Sequence, residues 1–148
     1  MTYLEYKIIT KQGPLKQILI IEDDAINCML YKEILADTSV NIDFAYDGQE
    51  GIDKFKEKYY DLVLLDLGLP KIHGLEVAKL IKEYEEKEQI AIKTAIIVLT
   101  ANNFPGTRKL AIDAGVDEYL TKPFDIHYLK SVVKTYLLKR DENLVSDS

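Results

Sequence analysis

Residues 61–66 have the sequence DLVLLD, a short apolar run that ends in an acid. A run of this length is typical of a β-strand that is buried on both faces, as the strands of parallel sheets are. Two further runs have the same character, QILIIE at 17–22 and AIIVLT at 95–100. Together the three runs predict the central strands of a parallel sheet.

Helical patterns separate these strands from two weaker ones. Weaker strands are predicted at 41–46 and 117–120, and helices at 25–36, 48–58, 75–87, 107–114 and 126–138. Asp47 is the predicted N-cap of the second helix, with Glu50 three residues later, and Gly115 is the predicted left-handed end of the fourth. Alternating strands and helices with right-handed crossovers predict an α/β fold, a flavodoxin-like, doubly wound (βα)5 domain with sheet order 2-1-3-4-5.

The chain has 148 residues, enough for one domain with a core of its own. This domain is predicted to cover residues 16–139. Residues 1–15 contain the break signal Gly13-Pro14 and form a predicted N-terminal extension. Residues 140–148 are polar and acidic and form a predicted flexible tail.

Composition restricts the classes of partner. The net charge is −6, from 19 basic and 25 acidic residues, and no basic stripe is present, which argues against nucleic-acid binding. Cys28 is the single cysteine, which excludes an internal disulfide and is consistent with a reducing compartment. No run approaches the roughly 18 to 20 apolar residues of a membrane span, and the start of the chain has no signal-peptide pattern. We therefore expect a cytoplasmic protein without a membrane partner.

Acidic residues follow two of the predicted strands. Glu22, Asp23 and Asp24 come after the first strand, and Asp66 ends the third. Doubly wound folds build their sites at the carboxyl ends of strands, so neighbouring strands would bring these carboxylates together. Repulsion between them would favour a hard divalent cation such as Mg²⁺. A single acidic run would be better explained as a loop solvated by water, but acids at two strand ends favour a metal site.

Two other strand ends offer a cation and a hydroxyl. Lys122 could neutralise the acids or pair with an incoming phosphoryl oxygen. Thr100 could donate a hydrogen bond from its hydroxyl. Considered singly, Lys122 would be a surface lysine and Thr100 a residue of high β-propensity.

Four segments in combination resemble the receiver domains of two-component signalling. The resemblance covers residues 16–138, in the order and at the spacing of that family, and the combination is specific. The segments are ILIIEDD at 18–24, LVLLDLGLP at 62–70 followed by Gly74, IVLTA at 97–101 and YLTKPF at 119–124.

The resemblance implies a role for each acid. Asp66 would be the phosphoacceptor. Asp23 and Asp66 would bind Mg²⁺ directly, Glu22 would act more often through water, and the backbone carbonyl of Gly68 would supply a further ligand. Asp24 would be a bystander at the start of the first helix.

The resemblance also implies a switch. Lys122 would pair with the phosphoryl group, Thr100 would be the switch hydroxyl and Tyr119 the switch aromatic. The output surface would be the face formed by the fourth helix, the fifth strand and the fifth helix.

The function implied is that of a signalling receiver, which promotes only its own Mg²⁺-dependent phosphorylation and dephosphorylation. The phosphoryl donor would be a histidine kinase or a histidine phosphotransfer protein. The stretch IEDDAIN at 21–27 is similar to receivers of hybrid kinases and phosphorelays. Whether the domain acts alone or belongs to a longer regulator stays open, as does phosphorylation-dependent dimerisation.

Some positions depart from the family pattern. Gly68 and Asn102 occupy positions that flank the phosphorylation site, and Leu69 stands where many relatives have methionine. Residues 84–94 are highly charged and predict an extended third helix or an extra loop, interpreted as a solvated face.

Two other functions are weighed against the receiver. A phosphatase of the haloacid dehalogenase type would need a second aspartate two residues after Asp66, where the chain has Gly68. A receiver-like scaffold that works without phosphorylation would need none of the chemical positions, yet all of them are filled.

Overall fold

The computed structural model describes residues 15–36, 38–68, 73–101 and 105–146, with side chains described up to Lys139. Five parallel strands form one sheet, and they are β1 (Lys16–Ile21), β2 (Val40–Ala45), β3 (Leu62–Asp66), β4 (Ala95–Thr100) and β5 (Glu118–Thr121). Their order across the sheet is β2-β1-β3-β4-β5. The predicted sheet order is confirmed. The first strand lies in the interior of the sheet, because Ile18 pairs with Ile42 of β2 on one side and with Leu62 of β3 on the other.

Five helices connect and follow the strands. They are α1 (Ala25–Ile34), α2 (Gly48–Glu57), α3 (Gly74–Lys87), α4 (Thr107–Asp113) and α5 (Ile126–Ser146). The first four agree with the predicted helices to within one or two residues. The last runs to Ser146, past the predicted end at about 138.

Both faces of the sheet are covered. Alternate residues of one strand point to opposite faces, so Leu19 and Val63 lie in one cluster of buried residues and Ile18 and Leu62 in the other. Side chains from α2 and α3 pack in the first cluster, and side chains from α1 and α5 pack in the second. Burial on both faces is the physical reason for the continuous apolar runs in the sequence.

Two capping residues predicted from the sequence lie at helix termini in the structure. Asp47 is the N-cap of α2, and its Oδ1 accepts a hydrogen bond from the Glu50 backbone N–H at 2.8 Å. The Glu50 carboxylate in turn accepts from the Tyr46 N–H at 3.0 Å, one residue earlier than an ideal capping box. Gly115 has φ +95°, the left-handed conformation that glycine tolerates best.

The charged segment 84–94 is not simply a solvated face, so that interpretation is corrected. Glu85 is completely buried, and its Oε2 accepts a hydrogen bond from the Thr94 backbone N–H at 2.7 Å. Lys82 places its Nζ 3.4 Å from the other carboxylate oxygen. Glu85 comes four residues after the buried Ile81, so the two side chains lie on the same buried face of α3.

The ends of the chain are only partly described. Residues 1–14 lie outside the described ranges, and the predicted tail begins inside α5. The division into 1–15, 16–139 and 140–148 therefore remains a prediction. Across the described ranges, every helix falls short of the apolar length that crossing a bilayer would require.

Candidate functional site

The carboxyl ends of β1 and β3 bring three acids together. Glu22 and Asp23 follow β1, and Asp66 is the last residue of the neighbouring β3. One oxygen from each carboxylate lies within 4.8 Å of the others. Asp66 is more than forty residues from Glu22 and Asp23 in the sequence, and the parallel pairing of β1 with β3 brings them together.

Glu22 is the buried member of this cluster. Its side chain is 1 % exposed, and its Oε1 accepts a hydrogen bond from the Asn27 amide at 2.6 Å. Its Oε2 is buried without a hydrogen-bond partner among the described residues. Burial, and after it the Asp66 carboxylate, raise the pKa of Glu22 to about 8. A buried oxygen left unpaired beside other acids is a position at which a cation is favoured.

Asp66 has partners of its own. Its Oδ1 accepts a hydrogen bond from the Gly68 backbone N–H at 3.0 Å, and Lys122 Nζ lies 3.6 Å from Oδ2. Burial acts to raise the pKa of Asp66, but the influence of the neighbouring Glu22, the Gly68 N–H and Lys122 outweighs it, and the pKa is lowered. Asp66 is thus held as a carboxylate, the form needed for attack on an electrophile.

The donor set fits a magnesium ion. Carboxylate oxygens, water and a backbone carbonyl are the ligands that Mg²⁺ takes in proteins. Three converging carboxylates and the unpaired oxygen of Glu22 supply the charge and an open donor. Asp23 is exposed, so the cluster is open to solvent on one side.

Lys122 lies between Glu22 and Asp66. Its Nζ is 3.6 Å from Glu22 Oε1 as well as from Asp66 Oδ2. Its backbone N–H donates to the Thr100 carbonyl at 2.8 Å, which holds the ends of β4 and β5 together. Thr100 is 2 % exposed at the end of β4, and the peptide bond between Lys122 and Pro123 is cis.

Tyr119 lies in β5, paired with Val98 of β4 and buried to 5 % exposure. Burial raises the pKa of its hydroxyl. The guanidinium of Arg108, in α4, lies 5.7 Å from the ring centroid, and its Nη2 donates to the Tyr119 carbonyl at 3.3 Å. Nothing in the local sequence around Arg108 indicates this contact, because it joins two different elements.

Three residues near the acids have roles that are clear only in the structure. Asn27 holds Glu22, as described above. Asp24 is the N-cap of α1, with its Oδ1 accepting from the backbone N–H groups of Ile26 and Asn27 at 2.8 and 3.2 Å. Gly74 permits close packing, because a Cβ there would lie 2.6 Å from Leu67 Cα. Of the other positions singled out from sequence, Leu69 and Asn102 lie outside the described residues.

Comparison with known families agrees with this geometry. Residues 18–134 match the family model of the response regulator receiver domain. The chain belongs to this family. Among curated relatives, response regulator ArlR of Staphylococcus aureus (strain Mu50 / ATCC 700699) is 37 % identical over 132 residues, which cover 88 % of this chain and 57 % of ArlR. The receiver domain described here therefore spans little more than half the length of that relative.

Solved structures show the same fold. A CheY-like receiver domain from Methanospirillum hungatei JF-1 matches with a TM-score of 0.76 and 26 % identity, over 87 % of this chain and 98 % of that one. A co-crystal structure from Saccharomyces cerevisiae contains the histidine phosphotransfer protein Ypd1 and the receiver domain of Ssk1. It matches with a TM-score of 0.76 and 30 % identity, over 83 % of this chain and 89 % of that one. The resemblance to receivers and the flavodoxin-like fold are both confirmed, and the two alternative functions are not favoured.

Proposed function

We propose that this receiver domain accepts a phosphoryl group on Asp66 and that Asp23, Asp66 and the Gly68 carbonyl bind the Mg²⁺ it requires. Glu22 would act on the ion through water. The observation that carries the proposal is the convergence of three carboxylates within 4.8 Å, with Lys122 Nζ 3.6 Å from Asp66. When bound, Mg²⁺ would neutralise the carboxylates and the phosphoryl oxygens.

The chain's own residues would perform the transfer by position and charge. An Asp66 carboxylate oxygen attacks the phosphorus in line, the O–P bond forms and the N–P bond to the donor imidazole breaks. The Gly68 N–H fixes the orientation of the Asp66 carboxylate through its 3.0 Å hydrogen bond. Lys122 can move from its present 3.6 Å contacts to pair with a phosphoryl oxygen.

The product would bias a switch. An acyl phosphate on Asp66 adds about two negative charges and strong acceptor oxygens. The Thr100 hydroxyl would donate to these oxygens, and the Tyr119 ring would fill the space that Thr100 leaves. The output surface would be the α4-β5-α5 face, where Leu110 and Ile112 are already 59 % and 60 % exposed. A downstream protein or a second phosphorylated copy could cover these apolar side chains.

The donor would be a histidine kinase or a histidine phosphotransfer protein. The Ssk1 receiver, a structural neighbour, is crystallised with such a protein. In this chain, Ile26 and Met29 of α1 are 76 % and 71 % exposed, on the helix that begins two residues after Asp23. Exposed apolar side chains on the helix that follows Glu22 and Asp23 support docking of a protein donor there. Catalysis would be limited to the domain's own phosphorylation and dephosphorylation.

Intact-mass measurement after incubation with acetyl phosphate tests the phosphoacceptor. We expect a gain of one phosphoryl group in the wild type with Mg²⁺, and none without Mg²⁺ or in Asp66→Asn. Asp24→Asn is the matched control, because it removes the same charge from the neighbouring loop and asparagine still caps a helix. Circular dichroism should show that both variants fold.

Two results would contradict the proposal. A phosphoryl gain that persists in Asp66→Asn would place the acceptor elsewhere. No gain in the wild type with acetyl phosphate, nor with a phosphorylated histidine phosphotransfer protein as donor, would leave a receiver-shaped scaffold that acts without phosphorylation.

A further inference from the structure

Arg108 makes two contacts with one residue of the switch. Its guanidinium lies over the ring of Tyr119, 5.7 Å from the centroid, and it donates to the carbonyl of the same residue at 3.3 Å. A planar guanidinium can stack on an aromatic face while its N–H groups donate sideways, which a lysine ammonium does less well. We propose that Arg108 is a positioning residue that holds the Tyr119 ring in its buried position and so couples α4 to the phosphorylation site.

The attachment of α4 explains why one arginine can matter. In the described part of the chain, α4 spans Thr107–Asp113 and buries Ala111 alone of its residues. The helix begins after Gly106, which provides no side-chain cap. Leu110 and Ile112 point to solvent. With so little apolar anchoring, the contact from Arg108 to β5 is a substantial part of what sets the position of α4.

The contact also lies close to the site chemistry. Tyr119 pairs with Val98, two residues before Thr100, and Lys122 follows three residues after Tyr119. In the proposed switch, the buried ring belongs to the phosphorylated arrangement. A side chain that stabilises the buried ring therefore stabilises that arrangement, and by thermodynamic reciprocity it must strengthen the binding of a phosphoryl mimic. This inference rests on the proposed function of Tyr119 and Asp66.

Beryllofluoride with Mg²⁺ is the probe for that coupling. We expect Arg108→Ala to weaken beryllofluoride binding by about threefold to tenfold, the range for a cation–π contact with one charged hydrogen bond. Arg108→Lys should recover part of the loss, because it retains the charge without the planar fork. Lys109→Ala is the matched control, since it removes a neighbouring exposed cation from the same helix. An equal loss in Lys109→Ala would overturn the proposal in favour of a general charge effect.

A double-mutant cycle separates positioning from general destabilisation. If Arg108 acts through the ring, Arg108→Ala should have little further effect on beryllofluoride affinity in a Tyr119→Leu background. Additive effects of the two changes would contradict the proposal. Urea unfolding of each variant would show that all four proteins of the cycle are folded under the binding conditions.

A metal-free measurement distinguishes failure of this inference from failure of the proposed function. The NMR signals of the Tyr119 ring should shift and broaden in Arg108→Ala without any Mg²⁺ or beryllofluoride, as the ring samples an exposed position. Unchanged ring signals would overturn the role of Arg108. If the wild type bound no beryllofluoride while the ring signals still changed, the Arg108 contact would stand and the phosphoacceptor assignment would fail.

Discussion

The sheet uses buried acids differently at the amino-terminal ends of its strands (the amino edge) and at their carboxyl-terminal ends (the carboxyl edge). At the amino edge, Asp61 accepts a hydrogen bond from the Gln17 backbone N–H at 2.7 Å, and Glu85 accepts one from Thr94 N–H at 2.7 Å. Each carboxylate there fixes the start of a strand. At the carboxyl edge, the carboxylates of Glu22, Asp23 and Asp66 converge, with one oxygen of each within 4.8 Å of the others.

Burial alone therefore does not distinguish a structural acid from a functional one. Asp61, Glu85 and Glu22 are each at most 2 % exposed. The difference lies in their neighbours: a backbone N–H is a permanent partner supplied by the fold, whereas a second carboxylate leaves charge that something outside the chain must balance. Variants at the two edges should accordingly separate stability from metal binding.

The largest effect is expected from Asp23→Asn at the carboxyl edge. Removing one carboxylate of the cluster should lower Mg²⁺ affinity by at least roughly 10-fold to 100-fold, the loss typical of mutating a residue that only hydrogen-bonds to a metal ligand. Because Asp23 is exposed, the free energy of unfolding without Mg²⁺ should change by less than about 0.5 kcal/mol. Calorimetric titration with Mg²⁺ and urea unfolding measure the two quantities. An equal loss of affinity in Asp24→Asn would show that only surface charge is involved.

Glu85→Ala at the amino edge should show the opposite pattern. Loss of a buried, charged acceptor leaves the Thr94 N–H unpaired, so the free energy of unfolding should fall by about 2 kcal/mol. Mg²⁺ affinity should not change, since Glu85 lies at the other edge of the sheet. Urea unfolding beside Glu86→Ala, an exposed neighbour in the same helix, checks this. A loss of Mg²⁺ affinity in Glu85→Ala would mean that the edges are not independent.

The smallest effect, and a pH-dependent one, is expected from Asp43→Asn. Asp43 Oδ2 lies 2.7 Å from Lys58 Nζ and accepts from the Tyr60 hydroxyl at 2.7 Å. Burial acts to raise the pKa of Asp43, but hydrogen bonds from Lys58 and Tyr60 lower it below its ordinary 3.8. Both charged side chains are partly exposed, so the substitution should cost about 1 kcal/mol or less at neutral pH.

The sign of that pH dependence follows from the lowered pKa of Asp43. A carboxylate with a lowered pKa contributes stability above its unfolded value and loses it as the pH falls through the folded value. The difference between wild type and Asp43→Asn should therefore be constant above about pH 5 and shrink as the pH falls below 3.8 through the lowered folded pKa. Urea unfolding across this range measures it. A difference that grew towards acid pH would refute the ion pair as its source.

Much of the site was predictable because its residues end strands that are visible in the sequence. Glu22, Asp66, Thr100 and Lys122 each follow or end an apolar run, and parallel strands present their carboxyl ends at one edge. Glu85 shows the limit of that reasoning. It looks like one charge among many in 84–94, and only its place four residues after Ile81 indicated a buried position.

The sequence by itself determined the strands, the helices, the sheet order and the receiver family, because apolar periodicity, caps and motif spacing are local properties of the chain. The tertiary structure alone decided that Lys122 lies equally close to Glu22 and Asp66, at 3.6 Å. It also decided that Arg108 covers Tyr119. Such contacts depend on strand register and helix packing, which set distances between segments that the sequence leaves separate.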